Sequence, residues 1–320
     1  MTQTTTAVGY LLPTREVVMA QATPDCGRIV QLAERAETLG FDSVWVGDSI
    51  LARPRLEPLT TLAAAASRTS RVKLGTAVLL PALRHPVVLA NEVANLDLLC
   101  NGRLILGIGI AGNNSSIERE FTACGVDFRH RIGIFEEGVE LMRRLWTEPE
   151  VTFHGRHFQL DGVSLGLRPV QSSGVPLWLA GGVDNALRRV LKLGDGWFPL
   201  PNSPETFARN WQRLEALGQE MGQDAGRLAR AVYVTVNLND DTAQAEREMR
   251  AFMEGYYNVP YEAMVAVQAP YNGPASQCID WLQAFVERGA ETIVVRFGAP
   301  DQTTQQERFA AEVLPALRAA

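Results

Sequence analysis

Histidine is scarce in this 320-residue chain, with four in all, and its four cysteines, Cys26, Cys100, Cys124 and Cys278, stand far apart. Such spacing has neither the short pairs of a zinc site nor the density of a disulfide-stapled scaffold, so they read as reduced, mostly buried thiols. Basic runs are missing too, and a net charge of -6 leaves no electrostatic footprint for nucleic acid or an anionic membrane. No apolar stretch approaches the length that spans a bilayer, and the opening Met1-Thr-Gln-Thr-Thr-Thr6 has no basic region or apolar signal core. The expectation is a cytoplasmic protein whose partners are small molecules. No Ser-His-Asp set and no carboxylate cluster with divalent-metal spacing is visible, so neither hydrolytic nor metal chemistry is expected.

What is present is a core: 46% of the residues are hydrophobic and 21% charged. Short apolar runs alternate with helix-spaced ones. The strand runs are Ala7–Leu12, Ser43–Gly47, Val72–Leu80, Leu104–Ile110, Pro176–Ala180, Gly196–Phe198, Ala231–Val236 and Thr292–Arg296. Helical runs fall at Ile29–Leu39, Leu59–Ser67, Val87–Leu99, Phe135–Trp146 and near 184–193, 204–221, 241–254 and 274–288. Eight strands so separated predict one α/β domain over 1–320, a (β/α)8 TIM barrel with insertions. A hairpin insertion is expected at about 150–162, across His154-Gly155, and a lid at about 254–275, where the tyrosines could equally form a subunit contact. An open doubly wound sheet is the alternative, but Tyr10-Leu-Leu-Pro13 lacks its glycine turn after the first strand.

In a parallel barrel the functional residues gather where strands end. Gly102–Asn113 is the most informative segment: aliphatics with glycines at 107 and 109, which admit a close backbone or ligand, emptying into Asn113 and Asn114. Asp48 and Ser49, the candidate catalytic residues, follow the second strand, Asn237 the seventh, and Arg296-Phe297-Gly298 the last. Ala180-Gly-Gly-Val-Asp-Asn-Ala186 is a strand–Gly-Gly–helix junction whose backbone amides suit a phosphate, provided Asp184 turns aside. Arg53 and Arg55, set among prolines, are candidates for a substrate or cofactor tail, or else a solvated loop. A site so apolar and so poor in titratable groups suits a cofactor that carries its own chemistry.

Five segments, in order and spacing, carry a resemblance: Gly40–Asp48, Leu74–Pro81 with Arg84-His-Pro86, Asn101–Gly109, Trp178–Gly182 and Leu193–Phe198. The chain resembles the bacterial luciferase-like flavin monooxygenases, a family that also includes oxidoreductases using the deazaflavin coenzyme F420. The resemblance implies a barrel holding a reduced flavin or deazaflavin over the strand ends. Its ring would lie against Ala77 and Val78, whose peptide is commonly cis in the family, and its phosphate would meet Gly181, Gly182, Asn185 and Arg131. Arg131 could instead pair with Glu136 or Glu137. His85 belongs to a structural motif of the family. Members are often dimeric, so the resemblance implies a homodimer or higher homo-oligomer.

Two departures stand out. Ile110 and Ala111 occupy the place of an arginine found in luciferases. Asp48-Ser49 stands where many deazaflavin enzymes carry Asp-His, so a reductase reaction would need another proton carrier. Asp48 could bond the ring or ribityl group, or only cap the turn. The leading expectation is a two-component monooxygenase receiving reduced FMN from a separate flavin reductase and using dioxygen on a small organic substrate. The alternatives are an F420-dependent reductase or dehydrogenase, a flavin-binding protein without turnover and, less favoured, a cofactor-free lyase or isomerase.

Overall fold

The computed structural model describes residues 6–20 and 23–319, so the N-terminal signal reading falls mostly outside the described residues. The chain runs β1 (Ala7–Leu11), α1 (Glu16–Met19), α2 (Cys26–Leu39), β2 (Ser43–Val46), α3 (Pro58–Ala66), β3 (Lys73–Leu79), α4 (Pro86–Leu99) and β4 (Leu104–Ile108). Then come α5 (Ser115–Ala123), α6 (Arg131–Thr147), the antiparallel hairpin β5 (Val151–His154) and β6 (Gln159–Val163), β7 (Leu177–Leu179), α7 (Asp184–Leu193), β8 (Gly196–Trp197) and α8 (Pro204–Met221). The last third holds β9 (Ala229–Leu238), α9 (Thr242–Tyr257), α10 (Tyr261–Val265), β10 (Pro270–Gly273), α11 (Ala275–Glu287), β11 (Thr292–Phe297), α12 (Gln302–Arg308) and α13 (Leu314–Ala319).

Strands β1, β2, β3, β4, β7, β8, β9 and β11 pair in parallel and close on themselves, giving the expected TIM barrel. β8 meets β9 only at Ala229 and Arg230, and β10 takes the same edge of β9 higher up, along Thr235–Leu238. Helix starts follow local chemistry: Pro58, Pro86 and Pro204 sit at first helical positions, and the Ser203 hydroxyl accepts from the Thr206 amide. His85 caps α4 through Nδ1, 3.4 Å from the Val87 amide, in keeping with a structural part. No helix among the described residues is long and apolar enough to cross a membrane.

Alternation along each strand decides what fills the barrel. On β9 Val232, Val234 and Val236 pack outward against the helices, while Ala231 and Tyr233 join Leu11, Trp45, Trp178, Phe198 and Val294 inside. Trp45 lies 5.4 Å from Trp178 and 5.1 Å from Phe198, ring centre to ring centre. Glycine makes this possible: a Cβ at Gly9 or Gly75 would stand 2.4 or 2.2 Å from a Trp45 ring atom. Trp197, one residue from Phe198, points outward and stacks on Phe207 of α8 at 4.9 Å.

Candidate active site

Above the aromatic plug, at the carboxyl ends of the strands, opens a cleft of about 1070 Å³ including its solvent-open part. Its backbone-rich side is Ala77, Val78, Ala111, Gly112 and Ala180, with Phe198 and Pro199 below. The Ala77–Val78 peptide is cis, as the family resemblance implied, and the β3–β4 register shifts between Thr76 and Leu79. Gly107 lets the two strands touch here, since a Cβ on it would stand 2.0 Å from the Thr76 carbonyl oxygen.

Asp48 and Ser49 line the cleft as expected, but their polar atoms are engaged by the protein. The Arg84 guanidinium donates to both Asp48 oxygens, at 2.6 and 3.2 Å, and the Leu80 amide donates at 3.0 Å. Burial draws the Arg84 guanidinium down, yet the hydrogen bonds it donates to Asp48 and Glu57 leave it above its ordinary pKa. The Ser49 hydroxyl donates to Glu120 Oε1 at 2.9 Å and accepts from the Arg53 amide at 2.8 Å. The geometry therefore makes both residues anchors of the wall. Glu120, 1% exposed on α5, also takes the backbone amides of Ile50 and Leu51. Glu120→Ala strips these donors of their acceptor, with an expected cost of about 1–3 kcal/mol. Limited proteolysis should then cut between Ser49 and Leu56; a loop as resistant as in the wild type would contradict this role.

The opposite wall is cationic and aromatic. Arg55 Nη1 donates to the Tyr256 hydroxyl at 3.1 Å, Arg15 lies 5.2 Å from the Tyr256 ring centre, and Arg53 lies 5.1 Å from that of Tyr257. Tyr256 and Tyr257, in the segment expected as a lid or subunit contact, turn into the cleft. Behind them Arg296, 1% exposed, bonds the Thr235 hydroxyl at 2.8 Å and lies 4.3, 5.1 and 5.4 Å from the ring centres of Tyr256, Tyr257 and Tyr233. Its Nη1 is buried without a hydrogen-bond partner among the described residues. Burial raises the Tyr233 and Tyr257 phenols, with Arg296 opposing, and burial likewise raises the Glu16 carboxyl.

The remaining expected residues lie around the rim or beyond it. Asn113 is exposed outside the lining, where Ala111 and Gly112 stand instead. Gly181, Gly182 and Asn185 follow the lining residue Ala180 into the start of α7. Asp184 turns away to Arg213, at 2.5 Å, which leaves the helix start to its amides. Arg131 pairs with neither Glu136 nor Glu137: Glu136 faces Arg189 at 3.8 Å, and Glu137 holds the hairpin amides of Arg156 and His157. It stacks on Phe128 at 3.8 Å, and its Nε is buried without a partner among the described residues. Sequence reasoning missed Glu120 and Tyr233 as site residues.

Residues 6–292 match the family model described as luciferase-like monooxygenase. The F420-dependent glucose-6-phosphate dehydrogenase of Kineococcus radiotolerans is 30% identical over 325 positions, covering 91% of this chain and 93% of that one. An F420-dependent secondary alcohol dehydrogenase, solved in complex with an F420-acetone adduct, has a TM-score of 0.83 at 23% identity over 98% of this chain and 99% of that one. The monooxygenase RslO1 from Streptomyces bottropensis has a TM-score of 0.80 at 24% identity, over 97% and 99%. Since one shared fold serves both a dehydrogenase and a monooxygenase, fold does not choose between the chemistries.

Proposed function

Because the chain belongs to the luciferase-like monooxygenase family and is an oxidoreductase, we propose that it is an F420-dependent dehydrogenase or reductase acting between an alcohol and its carbonyl compound. The observation that carries this reading is the near full-length likeness to F420-dependent dehydrogenases. The FMN-dependent monooxygenase expected from sequence gives way to its deazaflavin alternative, since the curated relatives are F420-dependent. With it goes the need for a separate flavin reductase.

The residues present fit such a cofactor. A wall of small side chains at Ala77, Val78, Ala111 and Gly112 suits a flat ring, and α7 offers an anion its uncapped N-terminus. Ala77 and Val78 would hold the ring; Gly181, Gly182 and Asn185 would meet the phosphate, with the unspent Nε of Arg131 beside the start of α6. When bound and reduced, the deazaflavin supplies a hydride. The protein's part is to exclude water, through the aromatic plug below, and to orient substrate from the opposite wall. There the Arg53 guanidinium forms no hydrogen bond with any described residue, which favours a substrate carrying an anionic or otherwise accepting group.

Anaerobic fluorescence titrations with F420 and with FMN test the reading, followed by loss of the deazaflavin's visible absorbance with glucose 6-phosphate and simple secondary alcohols. Tighter binding of F420, and its reduction by an alcohol, is expected. Tighter FMN binding with substrate-dependent oxygen uptake would restore the monooxygenase, and binding of neither would overturn the cofactor reading.

A further inference from the structure

We propose that Tyr233 is the proton carrier of the reaction, its hydroxyl bonding the substrate oxygen, with the buried guanidinium of Arg296 behind its ring supporting the tyrosinate. The proposal rests on the dehydrogenase reading and supplies what that reading lacks.

None of the four histidines lines the cleft, so the proton must be held by another group. Asp48 is held by Arg84 and Leu80, and Ser49 and Glu120 are bonded to each other. The Tyr256 hydroxyl accepts from Arg55 and that of Tyr257 donates to Gln268 Oε1 at 2.8 Å. Two polar side chains of the lining keep free heads among the described residues, Arg53 and Tyr233. A guanidinium does not give up its proton in a protein, whereas a phenol does. Tyr233 stands on rigid β9, on the inner face two residues above Ala231, and packs in the same cluster as Ala77 and Val78. It therefore faces the wall where the cofactor ring is placed.

Arg296 is what an ionising phenol needs. It lies 5.4 Å from the Tyr233 ring centre, has no carboxylate within 4.0 Å among the described residues, and keeps one nitrogen unpartnered. Other charges near it are Glu16, whose carboxyl burial raises, and Arg55 and Arg15 beyond the tyrosines. In the reducing direction the carbonyl carbon gains the hydride, and the oxygen takes the Tyr233 proton. The phenol O–H bond breaks, its electron pair stays on Oη, and water at the cleft mouth returns a proton, in balance with the one that a reduced deazaflavin would give up to solvent along with its hydride. In the oxidising direction the tyrosinate takes the alcohol proton. Because burial holds this phenol above its usual value, alcohol oxidation rises with pH through the neutral and alkaline range, while reduction stays level until the phenol ionises.

The test is Tyr233→Phe, which keeps the ring and removes the hydroxyl. Turnover should fall roughly 10²–10⁴-fold, the usual worth of a positioned acid or base, and the pH dependence of alcohol oxidation should flatten. The F420 dissociation constant should stay within about twofold, which reports an intact fold. Apart from activity, the ultraviolet titration of tyrosinate in the cofactor-free protein should lose one late step relative to the wild type. A Tyr233→Phe protein that turns over like the wild type with an unchanged pH profile would overturn the assignment while leaving the dehydrogenase reading standing. A wild type that never reduces F420 would overturn both.

Discussion

Asp48→Ala is expected to unfold about 3 kcal/mol more easily than the wild type, the lower end of what removing one partner of a buried ion pair costs. Its side chain is 1% exposed and that of Arg84 15%, so the substitution strands a guanidinium in a space cut for two charges. Glu57 reaches Arg84 Nη2 at 3.3 Å and offsets part of the loss, but it is half-exposed and does not replace the acceptor of the Leu80 amide. Loosening Leu80 loosens the end of β3 that carries Ala77 and Val78, so F420 affinity should fall along with stability. Denaturant unfolding and cofactor titration read the two effects. A variant of wild-type stability that binds F420 normally yet does not turn over would return Asp48 to the catalytic part read for it from sequence.

Gly107→Ala should do comparable damage by the opposite route, adding one methyl where there is no room. The new carbon would lie 2.0 Å from the Thr76 carbonyl oxygen and 3.1 Å from Phe198 Cδ1. Backbone cannot rotate out of the way as a side chain does, so β3 and β4 must separate. Overpacking of this kind costs about 1–3 kcal/mol and more where backbone must move, and we expect the upper end. Gly166, with nothing within 4 Å of its Cβ position, is the internal control, and Gly166→Ala should leave the unfolding midpoint unchanged. If the two alanine variants unfold alike, the close contact of β3 with β4 is not what glycine serves at 107.

All eight barrel strands were legible because each is a short apolar run bounded by glycine, proline or asparagine, and the family motifs fall on strand ends. The strand β10 was not: Pro270-Tyr-Asn-Gly273 has neither apolar alternation nor β-branched residues, and borrows its conformation from the edge of β9. Helix α12 was hidden for a different reason. Its buried face is Gln302, Gln305 and Gln306, amides that bond carbonyls of Phe297, Leu238 and Leu32, so no apolar stripe marks it. At the site, Arg53 and Arg55 were found because prolines frame them. Glu120 was invisible because its partners lie 68 to 71 residues earlier in the chain. Tyr233 was passed over in favour of Asn237 at the strand's end, yet Asn237 Nδ2 bonds Ala245 and Glu248. Stepping by two along β9 and β11 puts Tyr233 and Arg296 on the inner face with Ala231 and Val294, so alternation within the strand was a better guide than its terminus.

The plug of Trp45, Trp178 and Phe198 has a kinetic consequence. It fills the barrel below the cleft, so ring and substrate would both come in from the strand-end mouth. Were the ring to lie against Ala77 and Val78 and the substrate beneath Arg53, as proposed, the later arrival would block the earlier one. On that proposal product would leave before the spent coenzyme, so initial rates with coenzyme and substrate both varied should show an ordered cycle slowed by excess substrate, and random-order kinetics would contradict it.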